Sequence, residues 1–193
     1  MVRLTGLDKI QTAVFISGKG SNLKSLIKFS KLKKSPILIK LIISDNAHAK
    51  GLKLGKFFKI KTKIFNFKNK VIAEKKILSL IKINNIQLIC LAGFMKIISR
   101  NFIKSFKYRI LNIHPSLLPN YKGLNTHERA IKNKEKYSGC TVHYVNSKLD
   151  SGKIILQKKI KIKKNETPKT LARKILAQEH KIYPRAILKI FNL

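Results

Sequence analysis

Apolar positions along the chain recur with two periods, one of strands and one of helices. Thr12 to Ser17 (TAVFIS) is a nearly continuous, β-branched apolar run, the mark of a buried strand. Ser21 to Ser30 then carries Leu23, Leu26 and Ile27 at helical spacing. Ile37 to Ile43 predicts a second strand, Ala47 to Phe58 a helix, and Lys63 to Phe67 a short strand. Val71 to Ile83 predicts an amphipathic helix with Ile77, Leu80 and Ile81 on its apolar face. Ile86 to Ala92 is another buried strand, and Arg109 to Ile113 follows after a short helix. Beyond Tyr137 the rhythm changes. Cys140 to Val145 and Ile154 to Ile162 read as two strands close together, and a long helix ends the chain, with Thr167 as N-cap and Pro168 in its first turn.

Strands alternating with helices predict an α/β fold. We expect a single domain with a mostly parallel, twisted sheet and helices on both faces. Its N-terminal half is Rossmann-like and its C-terminal end mixed. Residues 1–10 read as a short N-terminal extension and residues 11–193 as the domain. Ligands of such sheets lie beyond the carboxyl ends of the strands.

Composition narrows the class. Hydrophobic residues make up 44% of the 193, enough for a core and too many for a disordered chain. The longest apolar run, Ile86 to Met95, is broken by Gln87 and is half of the ~20 residues that span a bilayer. Asp8, Lys9 and Gln11 interrupt the start of the chain, so no leader is expected, and the expected location is cytoplasmic. Cys90 and Cys140 lie in apolar surroundings and read as reduced core thiols. The five histidines show no metal-ligand spacing, so no metal is expected.

The net charge of +35 suggests a polyanion partner. Yet the cations are dispersed and only six are Arg, the residue that reads nucleic-acid bases bidentately. We therefore expect a solvated basic surface, no specific nucleic acid and no membrane. Only eight residues are acidic, which makes a carboxylate at a suggestive place informative.

Three places carry candidate chemistry. Ser17-Gly18-Lys19-Gly20-Ser21-Asn22 joins the first strand to the first helix, where free amides and the helix dipole can hold a phosphate. It is neither a Walker loop nor a full dinucleotide fingerprint, and a tight turn with a capping serine would look the same. Asn112 and His114 lie two apart at a strand end stopped by Pro115, so both face one side. An amide there can donate to a developing oxyanion, and an imidazole can pass protons near neutral pH. Asp150 falls in a loop between two strands, where it can fix the histidine's tautomer and favour its protonated form. Ordinary turn chemistry accounts equally for an Asp at that place. Glu179 falls in register with the apolar stripe Leu171, Ile175 and Ile182, a costly position for an unpaired carboxylate. His143 alternates with apolar neighbours and reads as a packed histidine.

Five blocks, FISGKGSNL, LAGFMKIIS, NIHPSLLPNYKGLNTHERAI, GCTVHYVNSKLDSGKIILQKKI and AQEHKIYP, together resemble the glycinamide ribonucleotide formyltransferases among folate-dependent formyltransferases. The resemblance implies transfer of a formyl group from 10-formyltetrahydrofolate, as co-substrate, to the amine of glycinamide ribonucleotide in purine biosynthesis. It implies Asn112, His114 and Asp150 as a catalytic trio. It implies Gly20, Ser21 and Asn22 on the ribonucleotide phosphate and Glu179 on the ribonucleotide. Lys70, Met95, Lys96, Ile97 and Ile98, together with Asn112 and Asn146, Ser147, Lys148, Leu149 and Asp150, would line the folate. Lys70 stands where the family often has Arg, which keeps the charge and loses a bidentate fork. Asn125 stands where some members have His. Methionyl-tRNA formyltransferases share only the first domain and carry a second one for RNA; formyltetrahydrofolate hydrolases usually carry an extra N-terminal domain. Neither addition is expected here. The expected assembly is a monomer or weak homodimer.

Overall fold

Five β-branched or apolar residues in a row, Thr12 to Ile16, need cover on both faces, and the first strand has it. In the computed structural model, which describes residues 9–193, β1 (Ile10–Ile16) is buried almost throughout and runs parallel to a strand on each side. These neighbours are β2 (Ile37–Ser44) and β4 (Leu88–Leu91). Outside β2 lies the four-residue β3 (Lys61–Ile64), parallel to it; a short strand with lysines resists pairing with other chains. It starts at Lys61 and ends at Ile64, two and three residues earlier than the expected Lys63 and Phe67, because its pairing with β2 runs from Leu41–Lys61 to Ser44–Ile64. The expected extension over residues 1–10 lies outside the described residues as far as residue 8, and Ile10 already belongs to β1.

The helices of this half are α1 (Ser21–Ser30), α2 (Leu52–Phe57), α3 (Lys70–Ile83) and α4 (Arg100–Ser105). The helix expected from Ala47 begins only after Gly51; the preceding residues form turns, in which Ala49 N–H donates to the Asn46 carbonyl at 3.2 Å. Caps set the starts of α3 and α4: Asn69 accepts from Ile72 N–H, and Ser99 from Phe102 N–H.

Strand β5 (Arg109–His114) crosses the boundary between two compact units, one ending at Leu111 and the other running Asn112–Leu193. The second unit continues with α5 (Thr126–Lys132), which periodicity did not predict, then the antiparallel strands β6 (Tyr137–Tyr144) and β7 (Ile154–Lys161). Helix α6 (Pro168–Ile190) starts with a Thr167–Thr170 capping box and buries Leu171, Ile175, Glu179, Ile182, Tyr183, Ala186 and Ile187 in its packing with β6, β7 and α5. Strand order is β3-β2-β1-β4-β5-β6-β7, a mostly parallel α/β sheet with an antiparallel end.

Candidate active site

Asn112 and His114 occupy the carboxyl end of β5, and the loop after β6 brings Asp150 to both. The Asn112 amide nitrogen donates to Asp150 Oδ1 at 3.4 Å, and His114 Nδ1 lies 3.4 Å from Asp150 Oδ2. Alternation along β5 produces this shared side, since Leu111 and Ile113 go to the core. Asp150 has a left-handed backbone (φ 44) and accepts the Gly123 N–H at 2.9 Å. One carboxylate is thus held by a backbone amide on the loop after β5 while it touches two side chains of β5.

The protonation state of His114 follows from its partners. Nε2 lies 2.9 Å from the Tyr121 carbonyl, which only accepts, so Nε2 carries the proton in the neutral ring. Nδ1 then presents a lone pair to Asp150, and a second proton placed there would be donated to the carboxylate. Burial lowers the His114 pKa below the ordinary histidine value; the Tyr121 bond and the Asp150 charge oppose this, while His143 and Arg129 reinforce it. The expectation that Asp150 favours the protonated form holds for its own contribution, but desolvation outweighs it. For Asp150, burial pushes upward, but the neighbouring His143, the Gly123 amide and His114 outweigh it, leaving it below the usual carboxylate range.

His143 is the site residue that sequence reasoning missed. It is buried as expected, yet its Nε2 lies 3.2 Å from the Asn112 amide nitrogen and 3.7 Å from Asp150 Oδ1. Its Nδ1, 2.8 Å from the Tyr144 carbonyl, must donate, so in the neutral ring Nε2 accepts from Asn112. This fixes the Asn112 amide with its NH2 toward the carboxylate. Both N–H groups are engaged, and the longer contact, to Asp150, is the weaker one that an arriving oxygen can displace. A signal existed in the sequence: Thr141 and His143 are polar side chains two apart around Val142 in a buried strand, and Thr141 Oγ1 also binds the loop after β5, donating to the Ser116 carbonyl at 2.6 Å.

The other candidate residues in this unit divide by exposure. Asn146, Ser147, Lys148 and Leu149 form an exposed turn, closed by Asn146 Oδ1 accepting from Lys148 N–H at 3.0 Å. Glu179 is buried on α6 toward β6, where burial and then its charge push the Cys140 thiol up to about 12. That thiol is no nucleophile at neutral pH. Asn125 precedes α5 with φ 56, a left-handed conformation that Asn tolerates well.

The first unit holds the remaining candidates. Gly20 precedes α1 with φ 75, and Ser21 is the first helical residue rather than a cap. The first-turn amides of α1 therefore receive no side-chain cap, an arrangement open to an anion. Gly20 has a second constraint: a Cβ there would sit 2.6 Å from Gly51 Cα. Asn22 is buried beside it in the helix. Lys70 opens α3 and is half-buried. In the segment after β4, Met95 and Ile97 are each 60% exposed and Lys96 is exposed, but Ile98 points into the core.

Two of the scarce carboxylates hold that segment at its ends. Ser17 donates a short hydrogen bond to Asp45 and accepts Met95 N–H at 2.8 Å, while Lys96 Nζ lies 3.9 Å from Asp45. At the far end, buried Glu74 accepts Ser99 N–H at 2.8 Å and the Ser99 hydroxyl. Two exposed apolar side chains are thereby carried on a backbone with little freedom, as a preformed binding edge needs. Among the described residues no group of three or more His, Cys, Asp or Glu side chains is placed to hold a metal ion, and no helix is long and apolar enough to cross a membrane.

The chain is 40% identical over 182 residues to the trifunctional purine biosynthetic protein adenosine-3 of Homo sapiens, 93% of this chain but 18% of that protein. It is 40% identical over 178 residues to the phosphoribosylglycinamide formyltransferase of Haemophilus influenzae, 91% of this chain and 84% of that one. The crystal structure of the phosphoribosylglycinamide formyltransferase from Brucella melitensis superposes with a TM-score of 0.89 at 40% identity, covering 95% of this chain and 96% of that one. Residues 10–187 match the family model described as formyl transferase, and the chain belongs to that family.

Proposed function

We propose that the protein transfers the formyl group of 10-formyltetrahydrofolate to the amine of glycinamide ribonucleotide, giving formylglycinamide ribonucleotide and tetrahydrofolate. Family membership supports the reaction class. The observation that carries the residue roles is the single carboxylate of Asp150 within reach of both Asn112 and His114.

In this reading the amine attacks the formyl carbon, and the carbonyl π electrons move to oxygen. Asn112 turns its more weakly engaged N–H from Asp150 to that oxyanion. The attacking nitrogen loses a proton, which is held on His114 Nδ1 and donated to Asp150 Oδ2. Collapse of the intermediate re-forms the carbonyl and breaks the bond to the folate nitrogen, which takes the proton. His114 and Asp150 finish as they began, and no covalent enzyme intermediate is used. The lowered His114 pKa suits this role, because the ring is neutral and able to accept at neutral pH.

The uncapped start of α1, with Gly20, Ser21 and Asn22, would receive the ribonucleotide phosphate, and Glu179 would contact the ribonucleotide. Lys70, Met95, Lys96, Ile97, Asn146, Ser147, Lys148 and Leu149 would face the folate; Ile98 would support them from the core. The two buried, unbridged thiols fit a cytoplasmic enzyme, which we place there as a monomer or weak homodimer acting on small molecules. The test is to supply glycinamide ribonucleotide and 10-formyltetrahydrofolate and follow tetrahydrofolate release. A folded protein without turnover refutes the proposal.

A further inference from the structure

The partner of His114 Nε2 is a backbone carbonyl on an irregular loop, and an irregular loop does not hold a carbonyl in place by itself. Tyr121, which owns it, has φ 56, a left-handed conformation that aromatic residues seldom adopt. Its side chain shows what keeps it there. The phenol donates to Glu135 Oε1 at 2.6 Å and accepts from Asn133 Nδ2 at 2.9 Å. The Arg129 guanidinium lies 5.1 Å over the ring and donates to the Lys122 carbonyl at 2.7 Å. Arg129 is on α5, and Asn133 and Glu135 follow it on the way into β6, so the loop is anchored to regular structure.

We propose that Tyr121 is a positioning residue for His114: its anchored side chain fixes the carbonyl that takes the Nε2 proton, and so selects the tautomer whose Nδ1 faces Asp150. The inference rests on the reading of His114 as the proton carrier. Bonding to Glu135 comes first among the causes that raise the Tyr121 pKa, so the phenol stays protonated and keeps donating through neutral pH. The charged and titratable groups acting on His114 are Asp150 from the loop after β6, His143 from β6, and Arg129 and His127 from α5. Asp150 and the Tyr121 carbonyl favour the protonated ring, and His143 and Arg129 oppose it. A carbonyl released from the ring would thus lower the His114 pKa and let the proton move to Nδ1, where it would be spent on Asp150 before the substrate arrives.

The experiment compares Tyr121→Phe, Glu135→Ala and Glu135→Gln with the parent enzyme. It measures turnover, both KM values, the pH profile, and the imidazole signals of His114 by nitrogen–proton correlation. Tyr121→Phe and Glu135→Ala should each lower kcat about tenfold, the scale of one orienting hydrogen bond, with KM values nearly unchanged. Both should shift the acidic limb downward and move the His114 signals toward the Nδ1–H tautomer. Glu135→Gln keeps an acceptor for the phenol and should behave like the parent. A Tyr121→Phe enzyme with unchanged pH limb and unchanged His114 signals overturns the inference, as does Glu135→Gln matching Glu135→Ala. If Tyr121→Phe fails to fold, Asn133→Ala removes one anchor only, and unmoved His114 signals in it count against the proposal. Failure of the parent enzyme to formylate glycinamide ribonucleotide would sink the functional reading instead; the His114 signals would still report whether Tyr121 sets the tautomer.

Discussion

Replacing Asp150 by Asn preserves shape and removes one charge, and the surroundings dictate how the new side chain sits. Gly123 N–H, 2.9 Å from Oδ2, needs an acceptor, so the amide oxygen stays on that side. The new NH2 takes the place of Oδ1, facing the Asn112 amide nitrogen at 3.4 Å, donor against donor, and His143 Nε2 at 3.7 Å. Asn112 loses an acceptor, and His114 loses the charge that favours its protonated form. An opposite charge at this range shifts a titration by about 1–3 units, and each unit is worth about 1.4 kcal/mol. If the imidazolium forms in the rate-limiting step, turnover should fall by about 10- to 1000-fold, that is by about 1.4–4 kcal/mol. The sign of the pH effect is fixed by the causes: burial lowers the His114 pKa and Asp150 raises it, so without Asp150 burial acts less opposed. The acidic limb should therefore move down, by about one unit or more. Steady-state tetrahydrofolate release across the acid-to-neutral range reads both quantities. Near-parental turnover with an unmoved limb would show that the carboxylate is structural and that the proton path is wrong.

Four further outcomes are expected. His114→Ala should lower turnover at least ~100-fold, and adding it to Asp150→Asn should cost far less than the product of the two single effects, as for groups acting together. Gly20→Ala should lower the Tm of the ligand-free protein, since φ 75 and Gly51 Cα at 2.6 Å both oppose a side chain; the cost is about 1–3 kcal/mol, and an unchanged Tm would contradict the packing. His114, His127 and His180 all have lowered pKa values, with burial the first cause in each. The unfolded chain therefore binds protons first, so stability should be full above about pH 6.5 and fall below it toward the native values; a Tm flat through that window would refute this. Binding to duplex DNA or RNA should be weak and vanish near physiological salt, and tight, sequence-dependent binding that persists there would overturn the reading of the charge.

Much of this was legible because strand ends constrain both conformation and direction. Pro115 stops β5, alternation puts Asn112 and His114 on one side, and both reach Asp150. The stripe of α6 was equally plain, down to the buried Glu179 within it. What stayed hidden depends on contacts distant in sequence. The residues of α5 showed no apolar period, because a seven-residue helix offers too few positions, and only Thr126 and Ala130 are buried. His143 was read as packed because periodicity reports burial and is silent on the polar partner. Nor does the sequence show that a side chain at Gly20 would strike Gly51 Cα, which makes substitution there a probe of folding more than of binding.

The basic composition sharpens the meaning of the buried acids. With 43 cationic side chains available, pairing with lysine would be the cheapest way to place a carboxylate. Glu74 instead binds the amide and hydroxyl of Ser99, and Asp150 accepts from Gly123 N–H and Asn112, with the imidazoles of His114 and His143 3.4 and 3.7 Å away. Asp45 binds the Ser17 hydroxyl, with its one lysine at 3.9 Å. Such partners fix a direction, whereas an ammonium on a four-carbon stem fixes only a charge. Each of these acids therefore acts as an aligned acceptor: Asp45 and Glu74 set a loop, and Asp150 orients an amide and an imidazole. Lysines can accumulate on the surface without disturbing such bonds, because exposed charges are screened by solvent and salt while bonds inside the fold are screened far less. A net charge of +35 and a site built from neutral and anionic hydrogen bonds are in this way compatible in one chain.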